Sequence, residues 1–149
     1  MAAERPIGET LEFMQQIWQL VHALDVRSKR MAKTLGVTGP QRFVVRVIGH
    51  RPDQTASEIA AWLGMHPSTL TGILARLEAR GAITRTVDAE DRRRARFALT
   101  AIGKQLDREK KGTVEAAVRR ALAKTSEPAI ASTEQMLARI VEELGRTDG

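Results

Sequence analysis

Four arginines stand at positions 92, 93, 94 and 96, inside the run DAEDRRRARFALT that extends from Asp88 to Thr100. Guanidinium groups at that density gather anions, and they hold phosphate through charge-assisted, often bidentate hydrogen bonds. A narrow turn carrying them also suits the minor groove of a nucleic-acid duplex, whose negative potential attracts arginine. Solubility alone does not require a cluster of one sign. Asp88 and Asp91 have a different use: aspartates in such turns hydrogen-bond nearby backbone or pair with arginine and hold a charged loop in shape. A second group of polar residues lies upstream. Ser68, Thr69, Thr71 and Arg76 sit in HPSTLTGILARLEARG, where small hydroxyls near a helix start can enter a major groove and an arginine can reach a guanine edge or a phosphate.

The elements that must position these residues follow from spacing. Leu70, Ile73, Leu74 and Leu77 recur at i, i+3, i+4 and i+7, which predicts a helix opened by Pro67 and ended by Gly81 as a left-handed cap. With that stripe inward, Ser68, Thr69, Thr71, Gly72, Ala75 and Arg76 face outward. Before it, Thr55 and Glu58 form a capping box that starts a helix through Ile59, Ala60 and Leu63 to Gly64. Two helices joined by a short turn around a glycine make a helix-turn-helix. After it, AITRTV and RARFAL alternate in polarity and read as two short strands joined by the turn DAEDR. Alternation would send Arg94 and Arg96 to one face and Phe97 to the other.

Helices flank this centre. Leu11, Met14, Trp18, Val21, Leu24, Met31 and Leu35 mark one face of an N-terminal helix that stops at Gly36. Thr38, Pro40 and Gln41 then start a short buried helix carrying Phe43, Val44, Val47 and Ile48. Thr100 is expected to cap a long helix through Ile102, Leu106, Val114, Val118 and Leu122. TSEP breaks it, and Ser126 caps a last helix with Ile130, Leu137, Ile140, Val141 and Leu144. The expected fold is mainly α with a small β-hairpin wing. One domain spans 1–149, with a winged helix-turn-helix lobe at 38–100 and a helical dimerisation region at 10–35 and 101–145.

Composition narrows the partners. The 149 residues hold 24 Lys+Arg against 18 Asp+Glu, a formal charge of +6, which favours an anionic partner. Aromatic residues are 3% and tyrosine is absent, so single-strand binding on stacked aromatic faces is disfavoured. There is no cysteine, which removes disulfides, thiolate metal sites and thiol redox sensing. Histidines 22, 50 and 66 fall on different predicted elements, so no metal site is expected. His66 reads instead as a capping or phosphate-side residue. No phosphate loop, nucleophile elbow or paired metal ligands point to an enzyme, and no cofactor is implied. MAAERPIGET lacks an apolar leader region and no run of apolar residues reaches membrane-spanning length, so a cytoplasmic protein without a membrane partner is expected.

In element order and spacing, the chain resembles the MarR family of bacterial transcriptional regulators from about Leu11 to Leu144. The stretch HPSTLTGILARLEARGAITRTVDAEDRRRARFALTAIGKQL carries the most specific part: a hydroxyl-rich recognition helix, RLEARG, a short strand, D..DRR and LT..G in register. The resemblance implies a homodimer built from the first and last helices. It implies two lobes on a palindromic double-stranded DNA operator, repression by covering promoters, and release by a small aromatic or anionic effector. Ser68, Thr69, Thr71, Gly72, Arg76, Arg92, Arg93 and Arg94 are then the expected DNA-binding residues. Asp91 would brace one of Arg92 to Arg94. Trp18, His22 and Arg46, with His50, would approach the effector junction, since a tryptophan face beside an arginine suits an aromatic anion. The chain departs from the family pattern at Gly72, where relatives often carry a larger polar or basic residue. The alternative reading is an architectural protein that binds any duplex through charge alone, and a third is a winged helix used for protein contacts.

Overall fold

The computed structural model describes residues 8–147; residues 1–7, where the absence of a leader was read, and 148–149 lie outside the described residues. The chain divides into two compact units, residues 1–114 and 115–149.

In the first unit, α1 (Gly8–Thr34) leads to α2 (Gly39–His50), β1 (Gln54–Thr55), α3 (Ala56–Leu63), α4 (Pro67–Ala79), β2 (Ile83–Val87), β3 (Ala95–Leu99) and α5 (Ala101–Arg108). Local chemistry starts the helices where expected. Thr38 with Gln41 and Thr55 with Glu58 each close a reciprocal capping box, satisfying amides that have no partner inside the helix. Gly36, Gly64 and Gly81 stand at the expected stops. The core gathers Val44, Val45, Val47 and Ile48 of α2, Ile59 and Ala60 of α3, the four-residue stripe of α4, and Ala82, Ile83, Ala95 and Phe97 around the hairpin.

Several expectations change. Phe43 is exposed rather than buried, and Val45 takes its place in the core. The wing has a third strand: β1 pairs antiparallel with β3, giving the order β1-β3-β2. Asp53, held at φ 62, sets this up by donating its amide to the Phe97 carbonyl at 3.0 Å. The long helix after Thr100 is interrupted. It ends at Arg108, and α6 (Val114–Leu122) begins anew after a turn in which Gly112 takes φ 78, a region closed to most side chains. The buried Thr113 hydroxyl donates to the Lys110 carbonyl at 2.7 Å and fixes that turn.

One buried cation organises the end of α5. Arg42, 1% exposed, donates through its guanidinium to the carbonyls of Leu106 and, at 3.1 Å, Asp107. Arg46, one turn along α2, adds a 2.6 Å ion pair to the Asp107 carboxylate. Two cations thus meet the carbonyl end of α5, where the helix dipole is negative. The start of α5 is anchored as firmly. The Thr100 amide donates to the Ala82 carbonyl at 3.0 Å and its hydroxyl to Gly81 at 2.5 Å. Gly103 lies so close that a Cβ there would stand 2.0 Å from the Ala82 oxygen.

The second unit continues α6 and holds α7 (Glu127–Gly145). Ser126 occupies the N-cap position of α7 without a side-chain hydrogen bond, and Pro128 supplies the first-turn proline. Leu137, Val141 and Leu144 are exposed along α7; along α1, Leu11, Met14, Trp18, Val21 and Leu24 are too. No described helix is long and apolar enough to cross a membrane.

Candidate nucleic-acid interface

The recognition-type helix α4 is capped by His66, whose Nδ1 accepts the Ser68 amide at 3.2 Å and sits 2.7 Å from the Ser68 hydroxyl. Leu70, Ile73, Leu74 and Leu77 are buried, while Ser68, Thr69, Thr71, Gly72, Ala75 and Arg76 are all exposed. The helix thus presents its polar face to solvent as its period requires. The Thr71 hydroxyl donates to the Pro67 carbonyl at 2.9 Å, so it offers a lone pair outward rather than a proton. Nothing lies within 4 Å of where a Cβ on Gly72 would stand. Gly72→Ala should therefore recover the helix propensity that glycine forgoes, about 1 kcal/mol, and raise Tm by a few degrees; an unchanged or lower Tm in a calorimetric scan would show that a hidden constraint occupies this site.

Backbone hydrogen bonds shape the wing turn. The Asp88 amide donates to the Arg94 carbonyl and the Arg94 amide to the Asp91 carbonyl, both at 2.9 Å. The Asp91 carboxylate accepts the Arg93 amide, and that of Asp88 the amide of Glu90, each at 3.0 Å. Asp91 therefore holds the loop through the main chain. No carboxylate among the described residues lies within ion-pair distance of Arg92, Arg93 or Arg94, and these guanidinium groups remain available for an anion.

Arg94 and Arg96 are both exposed while Ala95 and Phe97 are buried, the alternation expected of them, although Arg94 stands one residue before β3. Ala95 and Phe97 point to the core, and Arg96 points away and donates to the Asp53 carbonyl at 2.8 Å. Arg94 also lines a cleft of about 280 Å³ between α3, α4 and the wing, together with Thr71, Ala75, Glu78, Arg85 and Arg93. The structure thus brings residues of the helix and of the wing to one cleft. Arg85 is the member that sequence spacing missed. It stands opposite Phe97 in the strand register, a relation visible only once the hairpin is paired.

Of the residues expected near an effector, Trp18 and His22 lie exposed on α1. Arg46 and His50 do meet, in a pocket of about 160 Å³ whose other walls are Phe43, Val47, Arg51 and Trp62. Phe43 and Trp62 meet edge to face, with centroids 6.1 Å apart, and the Arg51 guanidinium lies 5.5 Å from the Trp62 ring centroid. No spacing rule pointed to Trp62, which is 51% exposed on a helix too short for a clear periodic signal.

Comparison with known proteins adds the following. The sequence model of the MarR family matches residues 37–95. The HTH-type transcriptional repressor Mb2911 of Mycobacterium bovis is 29% identical over 111 residues, 74% of this chain and 77% of that protein. Streptococcus pneumoniae FabT in complex with DNA superposes with a TM-score of 0.65 at 26% identity, covering 93% of this chain and 97% of that one. The PcaV transcriptional regulator of Streptomyces coelicolor, in complex with its natural ligand, superposes with a TM-score of 0.70 at 21% identity over 95% of this chain and 98% of that one.

Proposed function

We propose that this chain is a DNA-binding transcriptional regulator of the MarR type, acting in the cytoplasm as a sequence-specific repressor. In this reading two copies form a homodimer through the exposed apolar faces of α1 and α7, which hold the recognition helices about 34–36 Å apart, one turn of a palindromic operator. The lobe at 38–100 binds DNA, and 10–35 with 101–145 form the dimerisation region. Each α4 enters a major groove with Ser68, Thr69, Thr71, Gly72 and Arg76. Each wing places Arg92, Arg93 and Arg94 on the backbone and minor groove, with Asp91 holding the turn. The observation that carries the proposal is the shared cleft: Thr71 of α4 and Arg93 and Arg94 of the wing line one opening, as a protein gripping one duplex with both elements needs. FabT, captured with DNA, supports the same reading.

Fluorescence anisotropy against a duplex from the gene's own upstream region, beside a scrambled duplex, tests it. A preference of about a thousandfold is expected. Equal affinity for both, with one steep salt slope, would establish the architectural alternative.

For the effector we propose that the pocket of Phe43, Arg46, His50, Arg51 and Trp62 seats a small aromatic anion, with Trp18 and His22 on the neighbouring α1. The pocket's volume is close to that of a cavity of about 150 Å³ able to hold a benzene ring. The ligand captured in PcaV supports a small-molecule site in this fold. Benzoate added to the preformed operator complex is expected to lower anisotropy in the wild type and not in Trp62→Ala. Equal release from both proteins would remove the pocket from the reading.

A further inference from the structure

We infer that the cleft between α4 and the wing is a phosphodiester seat, and that Arg85 is its fixed cation. The inference rests on the DNA-binding reading above and assigns a contact which that reading does not need.

The argument starts from register. Arg85 pairs with Phe97 across the antiparallel ladder, and directly opposed residues project from the same face of a sheet. Phe97 is buried, so Arg85 emerges on the inner face of the wing, toward α4, rather than on the solvent side with Thr86 and Arg96. An arginine on that face is ordinarily neutralised by a carboxylate or packed away. Arg85 is neither. It is exposed, and no carboxylate among the described residues pairs with it, although Glu78 lines the opposite wall.

Position separates Arg85 from the other cleft arginines. Arg93 and Arg94 ride on a turn joined by a few backbone hydrogen bonds. Arg85 stands in mid-strand, with Thr84 and Thr86 paired to Ala98 and Arg96 on either side. A cation on a rigid strand, facing a recognition helix across an opening of about 280 Å³, defines where one backbone phosphate must lie when α4 is seated in a groove. Its contribution is registration: phosphate contacts fix position and orientation while base contacts specify sequence. The ligand is a phosphodiester of double-stranded DNA, read without regard to base.

The test is the salt dependence of binding for Arg85→Ala and Arg85→Lys, on the operator and scrambled duplexes. Each phosphate contact adds about 0.9 to the magnitude of the slope of log K against log salt. Arg85→Ala should lose about that much per lobe on both duplexes. Per lobe, its affinity would then fall about 3.5-fold less than that of the wild type between 50 and 200 mM salt. Arg85→Lys should keep the wild-type slope, because a point charge still meets a phosphate. Arg85→Gln repeats the measurement with the side-chain length retained, should alanine disturb the strand. A wild-type slope in both Arg85→Ala and Arg85→Gln overturns the assignment, as does a loss confined to the operator, which would mark a base contact. Failure of the wild type to bind either duplex would overturn the DNA-binding reading itself, and this assignment with it.

Discussion

Replacing Arg92 and Arg93 together by alanine should weaken operator binding by about a hundredfold or more while leaving the protein as stable as before. The two halves of that expectation have separate grounds. Among the described residues neither guanidinium has an ion-pair partner, and the hydrogen bond that Arg93 makes to the Asp91 carboxylate comes from its backbone amide, which alanine keeps. Surface changes away from caps, cavities and buried partners stay within about 0.5 kcal/mol, so the melting temperature should hold. Binding is another matter. An arginine contact to DNA is worth about 1–3 kcal/mol, two are lost per lobe, and about 1.4 kcal/mol is a factor of ten. The salt slope should become shallower by about 2 per lobe, because two charge contacts disappear. Anisotropy titration across a salt series reads both quantities. Tight binding indifferent to the change would mean that the wing does not touch the duplex.

Gly103→Ala should do the reverse: leave the DNA-facing surface intact and cost the fold about 3 kcal/mol or more. The added methyl would stand 2.0 Å from the Ala82 carbonyl oxygen and 3.2 Å from the Leu99 Cβ. The nearer wall is main chain, and the Leu99 Cβ is fixed directly by its own backbone. Ala82 accepts the Thr100 amide, and Thr100 caps α5 by accepting the Gly103 amide at 3.1 Å. Neither wall can rotate away as a long side chain would, so relief requires lifting α5 off the junction between α4 and β2. Overpacking against backbone belongs at the severe end of point substitutions. A fall in Tm of about 10 °C is expected in a thermal melt. An unchanged Tm would mean that α5 docks more loosely than its hydrogen bonds indicate.

What the sequence made legible was local. Thr38 with Gln41 and Thr55 with Glu58 could be read because a capping box is complete within four residues. The stripe from Leu70 to Leu77 could be read because one helical period decides burial. Wherever the partner was remote, the reading stopped. Arg42 looks like any surface arginine until Leu106 and Asp107 are brought beneath it from the far end of α5. Phe43 and Val45 are both plausible core residues on α2, and only the placement of α3 leaves the first outside with Trp62. By contrast, Arg94 and Arg96 alternate with buried Ala95 and Phe97, as strand periodicity expects. The break between α5 and α6 is a different case. Asp107 to Thr113 contains no apolar residue and includes Lys110-Lys111-Gly112, a signal that was present and outweighed by the apolar period on either side. In the candidate site the residue types were legible, and the cleft that gathers them was not.

The empty space beside Gly72 also bears on how such a protein can change over generations. The position lies on the exposed face of α4, outside the positive-φ set, with nothing near enough to resist a side chain. Glycine codons are one base change from those for arginine, serine and aspartate, among others. A lineage could therefore try new readers of the groove at this point without refolding the lobe, whereas Gly103 offers no such freedom. After a gene duplication, two copies could come to prefer different operators through this one residue while every buried element stayed the same.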